Sequence, residues 1–97
     1  MNISFSKSAV NDLKSIKEYY HEQGVPQVGQ DFVVAIVEHI ETLSAHPDIG
    51  RVVPEFNDGS IRELIHSPFR IVYLRESESV NIIRVWRSER LLKLPEN

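Results

Sequence analysis

Apolar and polar residues alternate with one period in the first half of the chain and with another in the second. Ala9, Leu13, Ile16 and Tyr20 recur every three or four positions, while Lys7, Asn11, Lys14, Lys17 and Glu18 fall mostly outside that stripe. This is the periodicity of an amphipathic helix with one face on a core. Ser6 stands where a side-chain oxygen can accept from a free N–H of the first turn, and Gly24 is placed to stop the helix. A second stripe, Phe32, Ile36, Ile40 and Leu43, is widened by Val33 and Val37. It predicts a helix that starts near Pro26 or Gln27 and ends before Pro47, because proline suits a first turn and pushes its predecessor out of helical geometry. About four residues join the two helices, which favours an antiparallel hairpin.

The rhythm elsewhere is shorter. Asn2 to Phe5 reads as a strand with Ile3 and Phe5 on one face. His46 to Ser60 carries Pro47, Gly50, Pro54, Asn57, Asp58 and Gly59 and reads as loop. Beyond it, Ile61–His66, Phe69–Arg75 and Val80–Trp86 read as strands, with Ile71 and Tyr73 sharing a face, as do Ile83 and Val85. Their connectors are too short for crossover helices, so the three strands should run antiparallel. The expected fold is α+β: an N-terminal strand, a helical hairpin and a three-strand antiparallel meander, with the helices packed on one sheet face.

Length and composition narrow the function classes. Ninety-seven residues make one domain with one modest core, here 1–97 with a short tail at 91–97. There is no cysteine, which removes disulfides, thiol catalysis and thiolate metal sites. Apolar runs of about five residues are far short of a membrane span. Charge at Lys7 and the lack of an apolar leader segment make the cytoplasm the expected location.

The formal net charge is only -3, yet Arg62, Arg70, Arg75, Arg84, Arg87 and Arg90 place six of the eleven basic side chains between Ile61 and Arg90. Such concentration points to a face or edge that meets something anionic, or to arginines paired with Glu55, Glu63, Glu76 and Glu89. A guanidinium grips phosphate or carboxylate through a fixed fork of donors but is a poor proton acceptor near neutrality. His66, before Ser67 and Pro68, is the histidine best placed to serve as a base or proton donor. His21, His39 and His46 are scattered, and no metal or cofactor spacing stands out. Asp48, Glu55, Asp58 and Glu63 surround the long loop as a candidate acid pair or as solvated charges. Trp86 is placed to stack on a base, enter a partner's groove or fill the core, and Tyr19 lies off the main helical stripe.

Three segments, ISFSKSAVNDLKSIKEYY, HPDIGRVVPEF and IRELIHSPFRIVYLRESESVNIIRVWRSER, carry a resemblance over about residues 1 to 90. In order and spacing they resemble the opening strand and helix, the helix exit and the last strands of the RelE/ParE superfamily of bacterial type II toxins. The resemblance implies a toxin neutralised by a cognate antitoxin, in a toxin–antitoxin hetero-oligomer. In the ParE branch the target is DNA gyrase; in the RelE branch it is mRNA cut in the ribosomal A site. Arg62 and Arg84 look like the strand arginines of the RNA-cutting members, and Arg87 stands where those members carry a proton-handling Tyr or His. The lysines frequent in their middle segment are also missing, Arg51 being the one basic residue from Ile40 through Ser60.

The expected function is therefore a non-enzymatic gyrase inhibitor that needs no cofactor. The alternatives are a ribosome-dependent endoribonuclease using Arg62, Arg84, Arg87 and His66, or an inactive, antitoxin-binding relative. Candidate target-binding residues are Arg62, Arg70, Arg84, Trp86, Arg87, Leu91 and Leu94. Candidate antitoxin-binding residues are Val10, Tyr19, Val33 and Val37.

Overall fold

The computed structural model describes residues 1–88; Leu91 and Leu94, and with them the tail, lie outside the described residues. Strand β1 (Asn2–Phe5) leads into helix α1 (Lys7–Glu22), helix α2 (Pro26–Glu41) and a short 3-10 turn (Thr42–Ser44). Strands β2 (Arg51–Val52), β3 (Ile61–His66), β4 (Phe69–Arg75) and β5 (Ser79–Arg87) follow. The α+β order, the helical hairpin and the antiparallel meander β3–β4–β5 are as the periodicities predict.

Local chemistry fixes the helix ends. The Ser6 hydroxyl accepts from the Ala9 amide at 3.0 Å and donates to the Ile83 carbonyl at 2.8 Å, so one cap also ties α1 to β5. Gly24, at φ +80°, turns the chain beyond α1 in a conformation that costs other residues a Cβ clash. Pro26 occupies the first turn of α2. The helical path relaxes to 3-10 geometry at Thr42, five positions before Pro47, while Leu43 keeps its place in the core. Helices α1 and α2 cross closely at Gly29, where a Cβ would stand 3.1 Å from Tyr20 Cβ and 3.2 Å from Lys17 Cα.

The sheet order is β1-β5-β4-β3-β2. Strand β1 lies parallel to β5, Asn2 beside Ser79 and Phe5 beside Ile82. The core fills the space between the helices and one sheet face: Ala9, Ile16, Ile36, Ile40, Leu43, Leu64, Phe69, Ile71, Tyr73, Val80, Ile82 and Val85.

The structure corrects the sequence reading at two places. Part of the predicted loop, Arg51–Val52, is a two-residue edge strand on β3. And Ile83 does not share the core face with Val85. Val72 pairs with Arg84 while Tyr73 pairs with Ile82, so Ile83 is an extra, bulged residue on β5. Such a bulge shifts the alternation by one position. Ile82 is consequently fully buried and Ile83 half-exposed.

Candidate functional site

The register sorts the arginines by face. Arg62 lies opposite Tyr73, and Arg84 lies opposite Val72. Tyr73 and Val72 are consecutive in β4, and consecutive side chains leave a sheet on opposite faces. Arg62 and Arg84 therefore belong to different faces and do not converge. Arg62 serves the long loop, donating to the carbonyls of Gly50 at 2.8 Å and Gly59 at 3.1 Å. Beside it the Tyr73 hydroxyl donates to the Pro47 carbonyl at 2.8 Å and accepts from the Gly50 amide at 3.0 Å. Burial raises the Tyr73 pKa, so the phenol keeps its proton for that first bond.

On the face away from the helices sits a buried ionic network. The Glu63 carboxylate, 1% exposed, accepts from Arg51 Nε at 2.5 Å and Arg70 Nε at 2.5 Å, and pairs with the far nitrogen of the Arg70 fork as well. Arg70, 8% exposed, also donates to both Glu55 oxygens, at 3.1 and 3.2 Å. The Arg70 hydrogen bonds hold the Glu55 carboxyl below its ordinary pKa. Arg70 is thus already neutralised by two carboxylates, the pairing alternative that the sequence left open. Asp48 takes Arg75 at 2.9 Å, and Asp58 caps its own turn by accepting from the Ser60 amide at 2.9 Å. Glu55 and Glu63 thus share Arg70, while Asp48 and Asp58 serve other partners, so each of the four loop acids is engaged by a cation or a backbone amide.

A groove gathers the remaining candidates. It runs between α1 and the second half of β5, lined by Asp12, Ser15, Tyr19, Tyr20, Phe69, Arg84, Trp86 and Arg87. It exists because β1 pairs with β5 only as far as Ile82, leaving the outer edge of β5 beyond the bulge to α1. Asp12 occupies that edge: one carboxylate oxygen accepts from the Val85 amide at 2.8 Å and from Arg84 Nε at 2.9 Å, the other from the Arg84 fork at 2.9 Å. The Arg84 guanidinium lies 4.9 Å from the centre of the Trp86 ring. Asp12 raises the Arg84 pKa, which removes Arg84 further from any role as a base. Arg87 reaches the Tyr20 hydroxyl at 3.3 Å and lies 5.6 Å from the Phe69 ring centre. Trp86 is half-buried and outside the core.

Other candidates lie elsewhere. His66 meets His39 of α2, Nδ1 to Nδ1, at 2.9 Å. Among the antitoxin-binding candidates, Val10 and Tyr19 are exposed on α1, and Tyr19 borders the groove. Val33 packs partly against the core. Val37 lines a second hollow with Met1, Ile3, Phe5 and Ile40, between β1 and α2. Asp12, which organises the groove, had no signal in the sequence: it is one polar helical residue, and its partner Arg84 is 72 positions away.

A small α+β domain with an N-terminal strand, a helical hairpin and an antiparallel meander is the fold that the resemblance to the RelE/ParE toxins implies. The family described as ParE toxin of type II toxin-antitoxin system, parDE, matches residues 3–92, and the chain belongs to it. It is a toxin of the ParE branch, partnered by a cognate antitoxin. The fold is similar to that of a solved structure described as the chromosomal ParDE TA system from P. aeruginosa, with a TM-score of 0.76 and 24% identity over 90% of this chain and 95% of that one. No curated protein matches the chain. Among the described residues no helix is long and apolar enough to cross a membrane.

Proposed function

We propose that this toxin arrests bacterial growth by binding DNA gyrase in the cytoplasm, without a catalytic group of its own, and that a cognate antitoxin releases the block by covering the toxin in a hetero-oligomer. Membership of the ParE family over residues 3–92 carries the reading. The arrangement of the arginines supports it. Ribonucleolytic attack by a 2′-hydroxyl is helped by a base and by cations gathered at one phosphate. Here Arg62 and Arg84 belong to opposite sheet faces, Arg84 is held by Asp12, and His66 is engaged by His39.

The surface favoured for the target is the groove end of β5, with Arg84, Trp86 and Arg87, together with the tail that carries Leu91 and Leu94. Arg62 and Arg70 are less suited to it, since their donors already serve the loop and the buried carboxylates. The antitoxin is expected on the outer helical surface, where Val10 and Tyr19 are exposed, a setting for apolar anchors on a helix or extended segment.

The test is a supercoiling and DNA-cleavage assay with purified gyrase and purified toxin. Inhibition, with gyrase trapped on cleaved DNA, is expected. Trp86→Ala should raise the half-inhibitory concentration roughly thirtyfold, equivalent to about 2 kcal/mol for an aromatic anchor. Failure to inhibit or trap gyrase, with mRNA cut only on translating ribosomes, would overturn the proposal in favour of the endoribonuclease. Absence of both activities, with tight antitoxin binding, would leave an inactive relative.

A further inference from the structure

His39, in the last turn of α2, and His66, at the end of β3, are 27 positions apart, yet their Nδ1 atoms stand 2.9 Å from one another. The ring centres are 5.1 Å apart, so the rings meet nearly head-on and one Nδ1–H donates to the other Nδ1. Both residues are half-buried. The contact limits how many protons the two rings can hold. A neutral pair carries one hydrogen per ring, the donor ring on Nδ1 and the acceptor ring on Nε2. A third proton can bind Nε2 of the donor ring and leave the bond in place. A fourth has only the acceptor's Nδ1 lone pair to bind. It would set two N–H groups and two positive charges face to face at 2.9 Å.

We propose that the His39–His66 contact is an acid-sensitive latch, which holds the end of α2 against the β3–β4 turn while the two rings share one positive charge or none, and releases when both are charged. The ion pairs among the described residues engage Asp12, Asp48, Glu55 and Glu63 and neither histidine, so no carboxylate stands ready to neutralise the second charge. On α2 the acids nearest His39 in sequence, Glu38 and Glu41, are exposed to water. Beside His66, β4 presents the uncharged Phe69, and β5 presents the cation Arg87 beyond it, two strand spacings or about 10 Å away. Burial, and then the charge of the facing His66, lower the His39 pKa from its ordinary 6.5. The latch is joined to the groove end of the sheet. The turn after His66 is Ser67–Pro68, the Pro68 carbonyl accepts from the Ser88 amide at 2.7 Å, and Phe69 lines the groove. Release therefore loosens the support on which the end of β5 rests.

The unfolded chain charges both rings near pH 6.5, whereas the folded pair takes its second charge only at lower pH. Below 6.5 the unfolded state therefore binds more protons. The latch's contribution is complete above that value and is lost as pH falls toward the lower, folded one. This window opens above the 4.5 at which a carboxyl such as Glu55 ordinarily titrates. The experiment is urea unfolding of the full-length chain from about pH 7.5 to about pH 5, with nitrogen NMR of the histidine rings over the same range. Urea midpoints should stay level above about pH 6.5 and fall below it, the unfolding equilibrium constant rising up to about tenfold per pH unit. His39→Asn and His66→Asn should each flatten that fall, while His21→Asn and His46→Asn, at exposed positions, should keep it. If a latch variant does not fold, the parent's spectra decide: one ring should be protonated on Nδ1 and the other on Nε2 at neutral pH, and their protonations should be separated by about one pH unit or more. Burial of His39 alone would leave the fall intact in His66→Asn. That result, an undiminished fall in His39→Asn, or two rings titrating together near pH 6.5 would overturn the proposal.

Discussion

Glu63 is the residue whose replacement tests the electrostatics of this fold most sharply. Its side chain is 0% exposed and contacts two arginines of very different exposure: 9% for the Arg70 side chain and 62% for that of Arg51. Removing one member of a buried pair leaves an uncompensated charge and costs about 3–5 kcal/mol, while an exposed pair contributes about 0–1 kcal/mol. Glu63→Gln keeps the volume but leaves the Arg70 charge with Glu55 alone, a carboxylate whose side chain is 50% exposed. The expected loss is about 3 kcal/mol, the low end of that range because Glu55 and water recover part of it. Arg70→Met should cost a similar amount by stranding Glu63, whereas Arg51→Met should cost less than about 1 kcal/mol. Combining Glu63→Leu with Arg70→Met removes both buried charges and should restore most of the loss, because buried ion pairs repay little beyond their own desolvation. Urea unfolding followed by Trp86 fluorescence measures all four variants, and equal slopes would license the comparison. An Arg51→Met loss equal to that of Arg70→Met, or a double variant as unstable as the sum of its singles, would refute the reasoning.

Two further effects concern the loop and the acid limit. Gly50→Ala would place a Cβ 2.6 Å from the Tyr73 hydroxyl and 2.7 Å from the Glu63 carbonyl, and thermal unfolding should show a loss of about 1–3 kcal/mol. Tyr73→Phe, which orphans the Gly50 amide and the Pro47 carbonyl, should lose a comparable amount by the same measurement. On acidification, Glu55 and Asp58 have folded pKa values below their ordinary 4.5 and 3.8, so the folded chain binds fewer protons than the unfolded one. Their contribution is complete above those values and is lost as pH falls through the lower, folded ones. Urea midpoints should therefore fall below about pH 4.5, and Glu55→Gln should flatten that fall; an unchanged slope would exclude Glu55 as its source.

The fold was largely legible because its periodicities are local. The stripe Ala9–Leu13–Ile16–Tyr20, the cap at Ser6 and the run Phe69–Arg75 each fit within one element, and each stands where the pattern put it. What escaped depends on distant pairing. Arg51–Val52 is too short to alternate and becomes a strand only because β3 offers an edge. The bulge at Ile83 leaves no mark in a sequence where Ile82 and Ile83 are identical in type. The arginines were visible as a cluster, but not their assignment: Glu63 for Arg70, Asp12 for Arg84 and loop carbonyls for Arg62 are tertiary choices. The histidine pair was invisible for the same reason, one ring on a helix and the other at a strand end.

The Asp12 carboxylate on the Val85 amide bears on how the chain behaves at high concentration. An open strand edge is a template on which another copy can grow, and folds that avoid polymerising usually keep their edges short or obstruct them. The two outer strands here are four and two residues long, and beyond the reach of β1 the longest strand is obstructed by a negative charge fixed in place from α1. A ladder of copies would have to dislodge that carboxylate, and Arg84 with it, before the first intermolecular bond at Val85 could form. Asp12 thus closes the part of the β5 edge that β1 leaves open, at Val85.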